Sequence, residues 1–263
     1  VQTLWPALLI VQAVLLLAVI EVFYKGVSKL AESVLESDRK TVLVVAAVVG
    51  VLTLFYLAKG DVLLGDAYLF QPAAEIFHDA MLQGIPHHSF YWYGGSSHFE
   101  YYGQLYFAAV ASADTIFGNI NFTIKIVNWL LHIAAAVILY WLALELTKSR
   151  KAAFLAAIAY SVSYEHVARI LIHGRLTNSM VYLLLPLLLL LMERHLKGKI
   201  SAQTAIAGVS LTAAAVFLTN PGDGIFVLIP AAIYFAARAI QLHQKKAGII
   251  KTAAIAGLLF CIL

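Results

Sequence analysis

The sequence predicts an all-α, polytopic transmembrane helical bundle, and three observations predict it. Of the 263 residues, 62% are hydrophobic and 12% charged, with a mean hydropathy of +0.86. A soluble domain carries roughly 25% charged residues, so the surplus apolar surface belongs against lipid or other buried helices. Apolar runs near bilayer-spanning length recur along the chain, and the basic residues fall in the short gaps between them. Cytoplasmic membrane loops have that pattern, because Lys and Arg accumulate there. The net charge of +4 does not indicate a nucleic-acid binder, since no basic stripe with interleaved aromatics lies outside the runs. Cys261 is the sole cysteine, which excludes an internal disulfide and a cysteine-based metal site.

In chain order, residues 4–24 and 41–58 are the first two runs. Residues 1–21 lack the basic start and small-residue cleavage site of a signal peptide. Between the runs, 25–40 places Leu30, Val34 and Leu35 on one face among charged residues, the pattern of an amphipathic cytoplasmic linker. Residues 59–100 are polar, holding Asp61, Asp66, Glu75, His78, Asp79, His87, His88, His98 and Glu100. Beyond them come a weaker run at 101–117, interrupted by Asp114, and runs at 127–146, 152–162, 176–192, 202–218, 225–239 and from 249 onward. The chain reads as a single membrane domain over 1–263, and its stop inside the last run leads us to expect a piece of a longer protein.

Sidedness follows from the basic gaps. Residues 193–199, 243–246 and 25–40 are rich in Lys and Arg and are expected inside. Alternation then puts 59–100, 164–175 and 219–224 together on the extracytoplasmic face of a multi-pass cell-membrane protein. Parity requires that either 101–117 or 152–162 fails to cross, and an inside position for Lys148, Arg150 and Lys151 favours 101–117 as the re-entrant piece.

These outer segments carry the candidate chemistry. Asp66 follows the second run, where partial desolvation makes a carboxylate a better base; it is a candidate general base or metal ligand, or the N-cap of a helix from Ala67 to Gln83. Glu75 and His78 are spaced i, i+3 on that helix, which suits a divalent ion or simply an exposed polar face. His87, His88, Trp92 and Tyr102 lie among further aromatics, as interfacial anchors or as a platform for sugar rings. Arg169, His173 and Arg175 run against the usual charge bias, so they need an anionic partner: a phosphate, Glu165 or lipid headgroups. The stretch Asn220-Pro221-Gly222-Asp223-Gly224 reads as a tight turn. The chain contains no Walker loop, H-E-x-x-H, G-x-S-x-G or dinucleotide fingerprint.

The order of these features resembles the polytopic membrane family described as 6-pyruvoyl-tetrahydropterin synthase related, whose architecture is that of GT-C glycosyltransferases. The resemblance runs from about Leu63 to Leu228. It rests on Gly65-Asp66, on Gly84-Ile85-Pro86 with Trp92, on Tyr93-Gly94-Gly95 and Phe99-Glu100-Tyr101-Tyr102, on His173-Gly174-Arg175, on Leu184-Leu185-Pro186-Leu187, and on Thr219-Asn220. The chain departs from the family pattern at His173, where the family has Arg, at Asn178, where it has an acid, and at Thr219-Asn220, where it has His. The resemblance implies that Asp66 is the first-loop aspartate and that the donor is a sugar on a polyprenyl phosphate. Arg175, His173, Arg169 and Asn220 would then contact substrate, with magnesium or manganese as a possible cofactor. Two alternatives belong to other classes: a transporter or flippase for a lipid-linked or anionic solute, for which Asp114 would be the buried charge, and an inactive membrane scaffold for cell-envelope assembly.

Overall fold

The computed structural model describes Val14 and residues 35–58, 60, 65–81 and 103–242. The first run apart from Val14, residues 25–34 of the linker, and the run from 249 lie outside the described residues. The described chain is all-helical, without strands. We number its α-helices α1 (Asp38–Leu52), α2 (Ala67–Met81), α3 (Gln104–Phe117), α4 (Ile120–Thr147), α5 (Arg150–Ser161), α6 (Tyr164–Leu171), α7 (Asn178–Leu196), α8 (Ala202–Thr219) and α9 (Pro221–Gln241).

Local sequence sets where the helices start. Ser37, Asn119, Ser149, Ser201 and Asn220 each accept a backbone N–H of the first turn on a side-chain oxygen, satisfying donors that the helix leaves free. Asn220 also closes α8, so α8 and α9 share one residue, and Pro221 takes the first position of α9. The stretch that reads as a tight turn in sequence is therefore a helix start. Asn caps helices as readily as it forms turns, and Pro at the first helical position suits either.

Four helices, α4, α7, α8 and α9, are long and apolar enough to cross a membrane. Their outward faces are apolar too: Ile225, Phe226, Ile229, Ile233 and Ile240 form an exposed stripe on α9, as a lipid-facing helix requires. The 41–58 run is built from the 15-residue α1 and a 3-10 turn over Leu54–Leu57, a combined rise of roughly 30 Å. The runs at 101–117 and 152–162 become helices of 14 and 12 residues, each with a rise of only about 20 Å. α5 is prolonged by α6 beyond a break at Val162 and Ser163, whereas α3 packs on α2.

Packing gives the bundle two chemically distinct ends. α1 runs antiparallel to α4: Asp38 pairs with Arg150 just beyond the end of α4, and Gly50 accepts a hydrogen bond from Trp129 (3.0 Å). Val45 and Val49 pack there against Ala136, Tyr140 and Phe154. At the other end, Ala67, Phe70, Ala74 and Phe77, spaced three and four apart on α2, bury against Tyr106, Phe107, Val110 and Ala111 of α3 and against Ile170 and Leu176. Among the described residues, Lys125, Arg169 and Arg175 are the Lys and Arg side chains toward that second end; the rest gather at the first.

Candidate functional site

The second end is assembled by backbone contact. Gly65 adopts φ +58°, and a Cβ there would lie 2.3 Å from the carbonyl carbon and oxygen of His173. Only glycine fits both that conformation and that approach. The Asp66 N–H then donates to the His173 carbonyl at 2.8 Å. The 173–175 segment is folded onto the end of α6, with the His173 N–H on the Ala168 carbonyl and the Arg175 N–H on the Arg169 carbonyl, both 3.0 Å. Gly103 makes a second approach of this kind, against the carbonyls of Leu218 and Thr219.

This framework brings the Asp66 carboxylate to 3.9 Å from Nε of Arg175, with the two side chains 53% and 45% exposed. Asp66 immediately precedes α2, and its carbonyl accepts the Phe70 N–H, so its charge sits at the positive end of a helix dipole. Being a helix-start residue and being a reactive carboxylate are thus compatible here. His173 is exposed beside them.

Arg169 pairs with Glu165, one turn earlier on α6. The hydrogen bond that Arg169 donates to that carboxylate, and more weakly the charges of Glu165, Tyr182 and Asp223, outweigh its partial desolvation and raise Arg169 above its usual value. Asp223 therefore belongs to the same end. There Asn220 donates to Asp223 (2.8 Å) and to Asn178 (3.3 Å) and accepts the Asp223 N–H (3.2 Å). Its side chain is thus occupied in joining the starts of α7 and α9, a bracing role beside the substrate contact expected from sequence.

Glu75 and His78 stand elsewhere. They follow Asp66 by nine and twelve residues, roughly 14 and 18 Å along the helix axis. Glu75 accepts from Gln71 (3.4 Å) and His78 faces Asp79 (3.7 Å). Among the described residues no three His, Cys, Asp or Glu side chains gather. His87, His88, Trp92 and Tyr102 lie outside the described residues.

Against models of known families, characterised proteins and solved structures, the chain finds no match.

Two arrangements were not anticipated from sequence. In the break between α5 and α6, the buried rings of His132 and His166 stack at 4.0 Å and 20°. His132 Nε2 donates to the Ser161 carbonyl (2.8 Å), which leaves Nδ1 to accept from the Tyr56 hydroxyl (3.3 Å). His166 Nδ1 donates to the Tyr160 carbonyl (3.3 Å), and its Nε2 is buried without a partner. The signal was a single histidine inside the 127–146 run; its partner, twenty residues past that run's end at a helix break, carried no signal of its own. At the opposite end, the fully buried Glu193 carboxylate accepts from Arg238 (2.5 and 3.2 Å), Tyr234 (2.6 Å) and Lys197 (3.0 Å). Glu145 accepts from Lys148 and Lys199.

Proposed function

We propose that the chain is the membrane part of a GT-C-like glycosyltransferase that moves a hexosyl or pentosyl group from a polyprenyl-phosphate carrier to an acceptor on the extracytoplasmic face. The observation that carries this reading is the half-exposed Asp66–Arg175 pair at one end of a bundle of apolar helices. A lipid-linked donor presents its phosphate at headgroup depth, and a guanidinium holds phosphate bidentately. On donor binding, Arg175 turns from the Asp66 carboxylate to the phosphate, which frees the carboxylate as a base. The acceptor hydroxyl attacks the anomeric carbon and the bond from that carbon to the phosphate oxygen breaks. The hydroxyl proton passes to Asp66, and Arg175 stabilises the charge that builds on the departing polyprenyl phosphate. The concentration of Lys and Arg at the opposite end supports an outward orientation for this one.

The test is transfer from a polyprenyl-phosphate sugar in membranes containing the full-length protein. Asp66→Asn keeps the shape and removes the base, so transfer falls by at least about a hundredfold while expression is unchanged. Retained transfer sinks the role of Asp66.

A second reading, a transporter, is favoured by one observation: stacked, buried histidines at a helix break inside the bundle. It expects solute flux in proteoliposomes that His166→Phe stops and Asp66→Asn spares.

A further inference from the structure

The end of the bundle away from Asp66 contains a cavity of about 680 Å³, between the last turns of α4, the start of α5 and the segment joining α7 to α8. Its apolar wall is Trp141 and Leu144, and its rim holds Lys148, Arg150, Lys151 and Lys199. Two carboxylates, Asp38 and Glu145, share that rim, so four cations less two anions leave a charge of +2. The carboxylates are already saturated. Glu145, only 10% exposed, takes both Lys148 and Lys199, and Asp38 takes Arg150. The cations keep open coordination: Lys148 is 62% exposed, Lys199 48% and Arg150 42%. Lys151 is exposed and pairs with no carboxylate among the described residues. Arg194 stands over the Trp141 ring at 6.0 Å, adding a further cation to the apolar wall.

A surplus of two charges above an aromatic and aliphatic wall, at the ends of membrane-length helices, fits a phosphate anion joined to an apolar chain. We propose that this cavity binds a phosphate group, supplied by an anionic phospholipid whose upper acyl chain lies on Trp141 and Leu144. The site lies at the far end of the bundle from Asp66 and does not depend on the transferase reading.

The experiment titrates the purified full chain in neutral detergent with phosphatidylglycerol, phosphatidylcholine or inorganic phosphate, reading half-saturation from the shift in thermal unfolding. Phosphatidylglycerol is expected to saturate and phosphatidylcholine to have no effect. Lys148 has φ +58°, a conformation that asparagine accepts, so Lys148→Asn with Lys151→Gln removes two charges without backbone strain. In that variant half-saturation moves up about thirtyfold, and about fivefold in Lys151→Gln alone, which serves if the double variant does not fold. A variant-sensitive response to inorganic phosphate alone keeps the phosphate site but assigns it a soluble source. Equal responses to the two lipids, or a half-saturation unchanged by the substitutions, overturn the proposal.

Discussion

Replacing Gly65 with alanine tests whether the framework around Asp66 depends on main-chain contact. The new Cβ would stand 2.3 Å from His173 backbone atoms, where ordinary contact begins near 3.4 Å, so the two segments must part by about 1 Å. Three costs add. Holding a non-glycine residue at φ +58° costs about 1–2 kcal/mol. Loss of the Asp66 N–H to His173 hydrogen bond costs about 1 kcal/mol. Relieving an overlap against backbone costs about 1–3 kcal/mol. The sum is about 3–6 kcal/mol. Gly118→Ala supplies the control, because Gly118 has φ +62° but nothing within 4 Å, and so incurs the first cost alone. Reversible unfolding in mixed micelles measures both variants. The Gly65 variant should lose at least twice the stability of the control. Where it still folds, its transfer activity should fall by about a hundredfold, the effect of a 1 Å displacement of a reacting group. Equal losses in the two variants would refute the close approach and, with it, the positioning of Asp66 by His173.

Further outcomes follow from the other clusters. Arg175→Gln should change stability by less than about 1 kcal/mol, because the pair it breaks is half exposed, while raising the half-saturating donor concentration by about tenfold or more; unfolding and transfer assays on one preparation separate the two effects. Arg238→Ala removes the bidentate partner of a carboxylate with no exposure and should cost about 3 kcal/mol, measured by chemical unfolding, with Glu193→Gln in the same background recovering part of the loss. His132→Phe keeps an aromatic ring against His166 but discards the bonds to Tyr56 and Ser161, so a loss of about 2 kcal/mol is expected in the same assay.

The long helices were legible because each one contains an apolar run, and three of the four also begin at a capping Asn or Ser. Residues 202–218 and the Ser201 cap are an example. The runs at 101–117 and 152–162 were ambiguous in sequence for a physical reason: each ends in a helix of 14 or 12 residues, too short to cross and too apolar to be a loop. Asp66 and Arg175 could be singled out as polar residues in segments grouped by alternation, but nothing in sequence gives the 3.9 Å between them. That distance depends on Gly65 meeting the His173 carbonyl, and a glycine in sequence does not name the backbone it touches. The histidine stack and the Glu193 cluster were hidden for a related reason. Their members lie 34 and 45 residues apart in the chain, and each alone is an ordinary polar residue within or beside an apolar run. Glu75 and His78 show the reverse case: they lie on the helix that Asp66 precedes and neighbour it in sequence, while the helical rise carries them away from it.

The single residue between α8 and α9 leaves that joint without slack. Most helical hairpins take up small displacements in a loop of several residues; here Asn220 ends one rod and begins the next, and its side chain is tied to Asn178 at the head of a third. A displacement of one of these helix ends is passed to the next through Asn220 itself, and to the third through the Asn220–Asn178 hydrogen bond. α9 then carries the motion over roughly 30 Å to Arg238, whose grip on the buried Glu193 returns it to the far end of α7. The three helices thus form a closed mechanical frame, fastened by amides at one end and by a buried ion pair at the other.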